Sequence, residues 1–223
     1  MRGMFSDLHI HLGNEHPERL VKVALRYGYS CIAVIEEDEC FTGGGFDAEV
    51  GSSGKLSLLH GVEIRAEDVA ELHRKIRKYR RSVDVLAVRS GDDSVNRAAL
   101  KDKRVDFLAH LEQGDELNHV CMRYAAESGV AIEFNIASII HSKRGARAKV
   151  LQRMSETLKL VRKYGANAIL TSGGTLYDIR APRELIAVAK LFGMEREEAL
   201  KAVAETPLKV LKRKEEKDAR LVR

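Results

Sequence analysis

Short apolar runs alternate along this chain with longer segments in which apolar residues recur every three or four positions. The first run, Met4 to Ile10, reads as a strand. From His16 to Tyr27 the period lengthens: Leu20, Val21, Ala24 and Tyr27 fall on one helical face, and Pro17 suits a first turn. "CIAVIE" reads as a buried strand rich in β-branched residues, and residues 37–55, with "TGGGF" and "GSSG", carry loop chemistry. "LSLLHGVEI" is the next strand. A helix from about Glu67 follows, with Val69, Leu72, Ile76 and Tyr79 on one face. "VDVLAV" and "VDFLAHL" are two short buried strands separated by a polar helical segment, and "VAIEFNI" and "ANAILTS" are two more. Leu151, Met154, Leu158 and Val161 mark the buried stripe of the helix between these last two. Two helices close the pattern, one opened by Pro182 and one around residues 195–205.

The pattern predicts seven strands, each followed by a helix or loop. Such alternation implies a parallel sheet with right-handed crossovers. A barrel and an open doubly wound sheet both satisfy it. No G-x-G-x-x-G follows a strand, so a dinucleotide fold gains no support. Seven units of roughly 25 to 35 residues favour a barrel somewhat smaller than the eight-stranded form. No linker divides the chain. Residues 1–211 are expected to form one α/β domain, and the charged residues 212–223 a tail that frays.

Composition narrows the setting. Charged residues make up 32% of the 223 positions, and the net charge is +5. A basic balance favours a polyanionic partner without naming it. Three cysteines, an odd number without C-x-x-C spacing, argue against a disulfide scaffold or zinc knuckle and for a reducing, cytoplasmic compartment. The N-terminus carries charge and His where a leader needs an apolar core, and no run approaches the roughly 18 residues of a membrane span. A soluble protein with no membrane partner is expected.

Candidate chemistry begins at "FSDLHIH". Strand side chains alternate faces, so Asp7, His9 and His11 are predicted on one side and Leu8 and Ile10 on the other. Two imidazoles and a carboxylate side by side, with His9 and His11 near the C-terminal end of a barrel strand, suit a nest for Zn or Mn. Other strand ends add His60 and Glu63, His110, Glu133 and Asn135, and Glu36, Glu37 and Asp38. These residues would converge on one mouth, as a metal site or as a hydrogen-bonded polar rim.

Basic segments are the second feature. In "HRKIRKYRR" the cations lie opposite the apolar stripe of their helix, as a solvated face would place them. "HSKRGARAKVLQR" differs: Lys143, Arg144, Arg147 and Lys149 sit at a loop and helix start with no acid until Glu156. Cations there oppose the helix dipole, and a phosphate backbone would resolve the conflict. "TSGGTLYDIRAPREL" adds Arg180 and Arg183, suited to gripping phosphate or to pairing with Asp178 or Glu184. With few aromatics, phosphate and shape recognition is favoured over base readout.

The segment from "RMSETLKL" through "TSGG", "RAPREL" and "LFGM" to the closing P-x-x-V-L-K-R closely resembles the archaeal ribonuclease P protein component 3 family. The resemblance runs through the whole chain, more weakly in its N-terminal half. It implies the distorted seven-stranded (β/α) barrel of the polymerase and histidinol phosphatase superfamily. Metalloenzymes of that superfamily use an H-x-H strand, matched by His9 and His11. They also use a third-strand acid, matched by Glu63, and a central His, to which His110 corresponds. Two departures stand out: "EED" and "TSGG" replace usual ligand positions. The resemblance therefore implies no catalytic residue and at most one divalent ion, in a degenerate site. In ribonuclease P the RNA removes the 5′ leader of precursor tRNA. The implied role is to support that RNA, with RNase P RNA, precursor tRNA and a Pop5-type protein subunit as partners. The expected RNA contacts are Lys143, Arg144, Arg147, Lys149, Arg180 and Arg183. The rival expectation is a metal-dependent phosphoesterase.

Overall fold

The computed structural model describes residues 4–13, 15–43 and 56–221, so the "GSSG" loop and most of "TGGGF" lie outside the described residues. Seven parallel strands lie side by side in chain order: β1 (Phe5–Ile10), β2 (Tyr29–Glu37), β3 (Ser57–Ile64), β4 (Val85–Arg89), β5 (Phe107–Ala109), β6 (Ala131–Asn135) and β7 (Ala168–Thr171). The seam between the first and last strands is stitched at their ends. Gly173 N donates to His9 O (3.0 Å), His11 N donates to Gly174 O (2.8 Å), and Ser172 N donates to the Asp7 carboxylate (2.9 Å). Gly173 has φ +63°, and a Cβ there would run into the Asn135 side chain, so the turn that closes the seam needs glycine. The result is a nearly closed, TIM-like α/β barrel in one domain.

Helices cover the outside: α1 (Pro17–Tyr27), α2 (Val69–Tyr79), α3 (Asp93–Lys101), α4 (His119–Ser128), α5 (Ile136–His141), α6 (Arg144–Tyr164), α7 (Pro182–Ala189), α8 (Arg196–Val203) and α9 (Glu205–Leu221). Side-chain oxygens of Asp68, Asp92 and Asn118 cap α2, α3 and α4 by accepting from free first-turn N–H groups. The predicted stripes pack on the sheet through Leu20, Val21, Ala24, Leu72, Ile76, Met154, Leu158 and Val161. Tyr27 is an exception at 38% exposed. Among the described residues no helix is long and apolar enough to cross a membrane.

Inside the barrel a second core packs alanines against larger side chains: Leu8, Ala33, Ile35, Val85, Ala87, Phe107, Ala109, Ala131 and Ile169. Val210 of α9 joins it, with Leu211 packed alongside. The last helix thus plugs the end opposite the mouth. Arg213, inside the stretch read from sequence as a tail, donates to Ser128 O (2.9 Å) and to the Val105 carbonyl, and lies 3.6 Å from Asp106. Lysine- and arginine-rich composition hid that anchor.

Strict alternation fails in β1. Asp7 pairs with Ile32 and Ile10 with Val34, so three steps on β1 oppose two on β2. This bulge puts Leu8 in the inner core and Ile10 in the outer one, where sequence alone put them on the same face. His9, between them, turns inward onto Phe107 (5.7 Å between ring centroids).

Candidate functional site

At the mouth, His9, His11, Glu63 and His110 each bring a ligand-type atom within 4.8 Å of the others. These are the four residues singled out from the sequence. Their supports come from neighbouring strands. Glu133 Oε1 accepts from His9 Nδ1 (2.6 Å) and from Thr171 Oγ1 (2.6 Å), and its other oxygen accepts from His110 N (3.3 Å). His11 Nδ1 lies 3.0 Å from the Ile35 carbonyl. A carbonyl only accepts, so that nitrogen carries the proton and Nε2 is left with a lone pair. His110 Nδ1 lies 3.2 Å from Glu112. Each imidazole is therefore held at Nδ1 by an oxygen, with Nε2 turned toward the centre; His9 and His11 meet there at 3.1 Å.

Charge follows from this packing. Burial alone would lower the His9 pKa, but Glu133 outweighs it and lifts it to about 9. Burial would raise Glu133, and His9 instead brings it down to about 2. Burial and the neighbouring His9 charge press His11 down to about 4. Glu63 stays below its ordinary range despite burial because His9, His110 and Arg89 surround it. Its Oε2 takes Arg89 at 2.6 Å, while its Oε1 and His110 Nε2 are buried 3.2 Å apart with no hydrogen bond made by either. His110 also sits at φ +53°, a strained backbone for a non-glycine residue.

The other predicted mouth residues divert. Asp7 spends its carboxylate on the N–H groups of Ser172 and His9 and does not join the four. His60 turns to Glu36 (3.1 Å) and stacks on Phe41. Asp38 binds Lys75 (2.6 Å), and Asn135 donates to Gly173 O. Sequence reasoning missed Arg89. It follows Val85 and Ala87 on the inward face of β4, so the parallel register with Glu63 could have revealed it.

The basic segments after β6 and β7 follow strands that end at this mouth, whereas "HRKIRKYRR" runs along α2 away from it, with Arg80 on Asp106 just before β5. Lys143, the residue before α6, offers no side-chain cap, and no acid occupies the first turn. Residues 143–149 are all exposed, and Arg144 has φ +47°. Among the described residues Lys143, Arg144, Lys149 and Arg183 make no ion pair. Two others are anchored: Arg147 donates to the carbonyls of Ile139 (3.0 Å) and Ser142 (2.9 Å), and Arg180 to those of Tyr177 (2.9 Å) and Ile179 (3.0 Å). Neither predicted pairing of Arg180, with Asp178 or Glu184, forms: Asp178 binds His141 and Glu184 caps Ala181 N.

The sequence model of the RNase P subunit p30 family matches residues 4–219. The chain belongs to that family. It is similar to ribonuclease P protein component 3 of Methanococcoides burtonii, with 40% identity over 94% of this chain and 88% of the relative. The Methanosarcina barkeri protein of the same name is 34% identical over 94% and 89%. A chain in the cryo-EM structure of archaeal ribonuclease P with mature tRNA superposes with a TM-score of 0.78 at 25% identity, over 93% of this chain and 90% of that one. The histidinol phosphate phosphatase of Lactococcus lactis, complexed with zinc, L-histidinol and phosphate, has a TM-score of 0.57 at 16% identity. It covers 86% of this chain and 95% of its own, and it shows a shared fold alone. As a p30-family member the chain is a protein subunit of ribonuclease P, the endoribonuclease of tRNA processing.

Proposed function

We propose that this subunit supports ribonuclease P by holding RNA against the basic surface at the mouth end of the barrel, leaving phosphodiester cleavage to the RNA subunit. The observation that carries this reading is the exposed, acid-free start of α6. Lys143, Arg144 and Lys149 surround free helix N–H groups there and have no carboxylate partner among the described residues. Stacked positive charge at a positive helix end is relieved by a phosphate. Arg183, exposed in the first turn of α7, adds to the surface, while Arg147 and Arg180 shape it through backbone carbonyls. RNase P RNA and precursor tRNA are the intended nucleic acids, a Pop5-type subunit the protein partner, and the cytoplasm the setting. The test is RNA binding by the reconstituted protein assembly carrying K143A/R144A/K149A. Affinity should fall for all RNA sequences, and the slope of log K against log salt should shallow by about 0.7–0.9 per lost contact. An unchanged slope would remove these residues from the RNA interface.

One divalent ion, Zn or Mn, fits the four-residue mouth. The buried Glu63 Oε1 and His110 Nε2 make no hydrogen bond and face each other beside His9 and His11. A cation would satisfy both, and would take the His9 and His11 Nε2 atoms in place of their mutual 3.1 Å contact once His9 gives up its proton. Four protein ligands fill a tetrahedral shell, so the ion would clamp β1, β3 and the end of β5 rather than activate water. The phosphoesterase reading gains nothing from the second and seventh strand ends. Glu36 and Glu37 are engaged by His60 and Arg89, and Thr171 by Glu133. Metal analysis of chelator-free protein checks the ion: one equivalent in the wild type and none in H110A is expected.

A further inference from the structure

We propose that Tyr177 is a stacking platform for one unpaired RNA nucleotide, so that this surface grips a base plane as well as phosphates; the inference rests on the reading that the surface meets RNA.

Tyr177 is 66% exposed in the turn between β7 and α7, more than any other large apolar or aromatic side chain among the described residues. It is nevertheless fixed in direction. Its hydroxyl donates to Glu15 Oε1 (2.7 Å), and the Arg19 guanidinium lies 5.9 Å from its ring centroid. Arg19 also binds Glu15 (2.8 Å), so ring, carboxylate and guanidinium brace one another. Its own carbonyl accepts from Arg180. A folding core does not require an aromatic ring held out to solvent by its polar tip.

The surroundings decide the partner class. Next in the chain, Asp178 binds His141 (2.8 Å) at the end of α5, two residues before Lys143. That contact ties the tyrosine turn to the start of α6. Tyr177 therefore sits against Arg19 and Arg180, in the turn whose next residue reaches the segment leading to Lys143 and Arg144, and ahead of Arg183 at the start of α7. Cations flanking a preset aromatic plane suit a single-stranded nucleotide: the base stacks and the neighbouring phosphates meet the cations. An apolar protein partner would bring no charge to answer them.

The chain has no tryptophan, so Y177W made with 5-fluorotryptophan carries a single fluorine resonance. The probe is the assembled ribonuclease P, with the label in this chain alone. The resonance is expected to move upfield when RNA is added to the protein subunits, and to stay put when the proteins are mixed without RNA. A resonance that moves on protein mixing alone makes Tyr177 a protein contact and overturns the proposal. So does a resonance unmoved by bound RNA. In parallel, Y177A should weaken RNA binding roughly 5- to 150-fold with no change in salt slope, and Y177F should retain most of the affinity. If K143A/R144A/K149A shallows the slope while position 177 is silent, stacking alone is wrong. If the slope is also unaffected, the reading of the surface falls with it.

Discussion

His9 Nδ1 lies 2.6 Å from Glu133 Oε1, and both side chains are wholly buried. Two charges shut away from water persist only because each stabilises the other and further donors complete the carboxylate. Thr171 and the His110 N–H supply those donors. The pair thereby joins β1, β5, β6 and β7 beneath the mouth.

Its pH dependence follows in sign. The folded His9 pKa of about 9 lies above the ordinary 6.5, so its contribution is complete below 6.5 and is lost as pH rises through 9. The folded Glu133 pKa of about 2 lies below the ordinary 4.5, so its contribution is complete above 4.5 and is lost as pH falls through 2. Urea denaturation of E133Q, with chelator present, should show its largest loss relative to wild type between pH 4.5 and 6.5. The loss should shrink on both sides, and a loss that grows steadily to alkaline pH would contradict the pairing.

Zinc should raise the melting temperature of the wild-type chain. At a hundredfold excess over Kd, a site present only in the folded state adds about 2.7 kcal/mol. H11A should lose this response, because its Nε2 is the lone pair left open by the bond to Ile35. Thermal scans with and without zinc decide it; an equal rise in both proteins would place the metal elsewhere.

Ending the chain after Lys212 should cost about 1–3 kcal/mol. Arg213 satisfies the Ser128 and Val105 carbonyls, and among the described residues Asp106 would keep Arg80 (2.6 Å) as its one cation. Chemical denaturation of R213M should reproduce most of that loss. If R213M is as stable as wild type, the anchor is dispensable.

Gly61→Ala should destabilise more than an ordinary surface change. An added Cβ would approach the Ile35 side chain and come within 2.8 Å of the Val85 carbonyl, and the backbone there cannot step aside. A calorimetric melting point lowered by several degrees is expected.

These contacts also show what the sequence could carry. The strands were legible because a barrel strand buried on both faces is an apolar run, and each run here proved to be one strand of the sheet. His9, His11, Glu63 and His110 were legible because barrel sites gather at strand ends, and the four do meet. Asp7 and His60 were misjudged for local reasons. The β1 bulge breaks the alternation, and His60 is an odd number of positions from Glu63, so it faces the other side of β3. Arg213 was hidden because a run of like charges gives no sign of which member is buried. The role of Arg147 was hidden too, since a cation bonded to backbone carbonyls looks in sequence like one left for a ligand.

The most direct test of the central claim is precursor-tRNA cleavage by reconstituted ribonuclease P across a range of salt concentrations, comparing wild type with K143A/R144A/K149A. The variant should lose the subunit's contribution progressively as salt rises, while the cleavage site and the chemistry at saturating RNA and protein stay the same. Cleavage indistinguishable from wild type at every salt concentration would contradict the claim that this basic surface is where the subunit holds RNA.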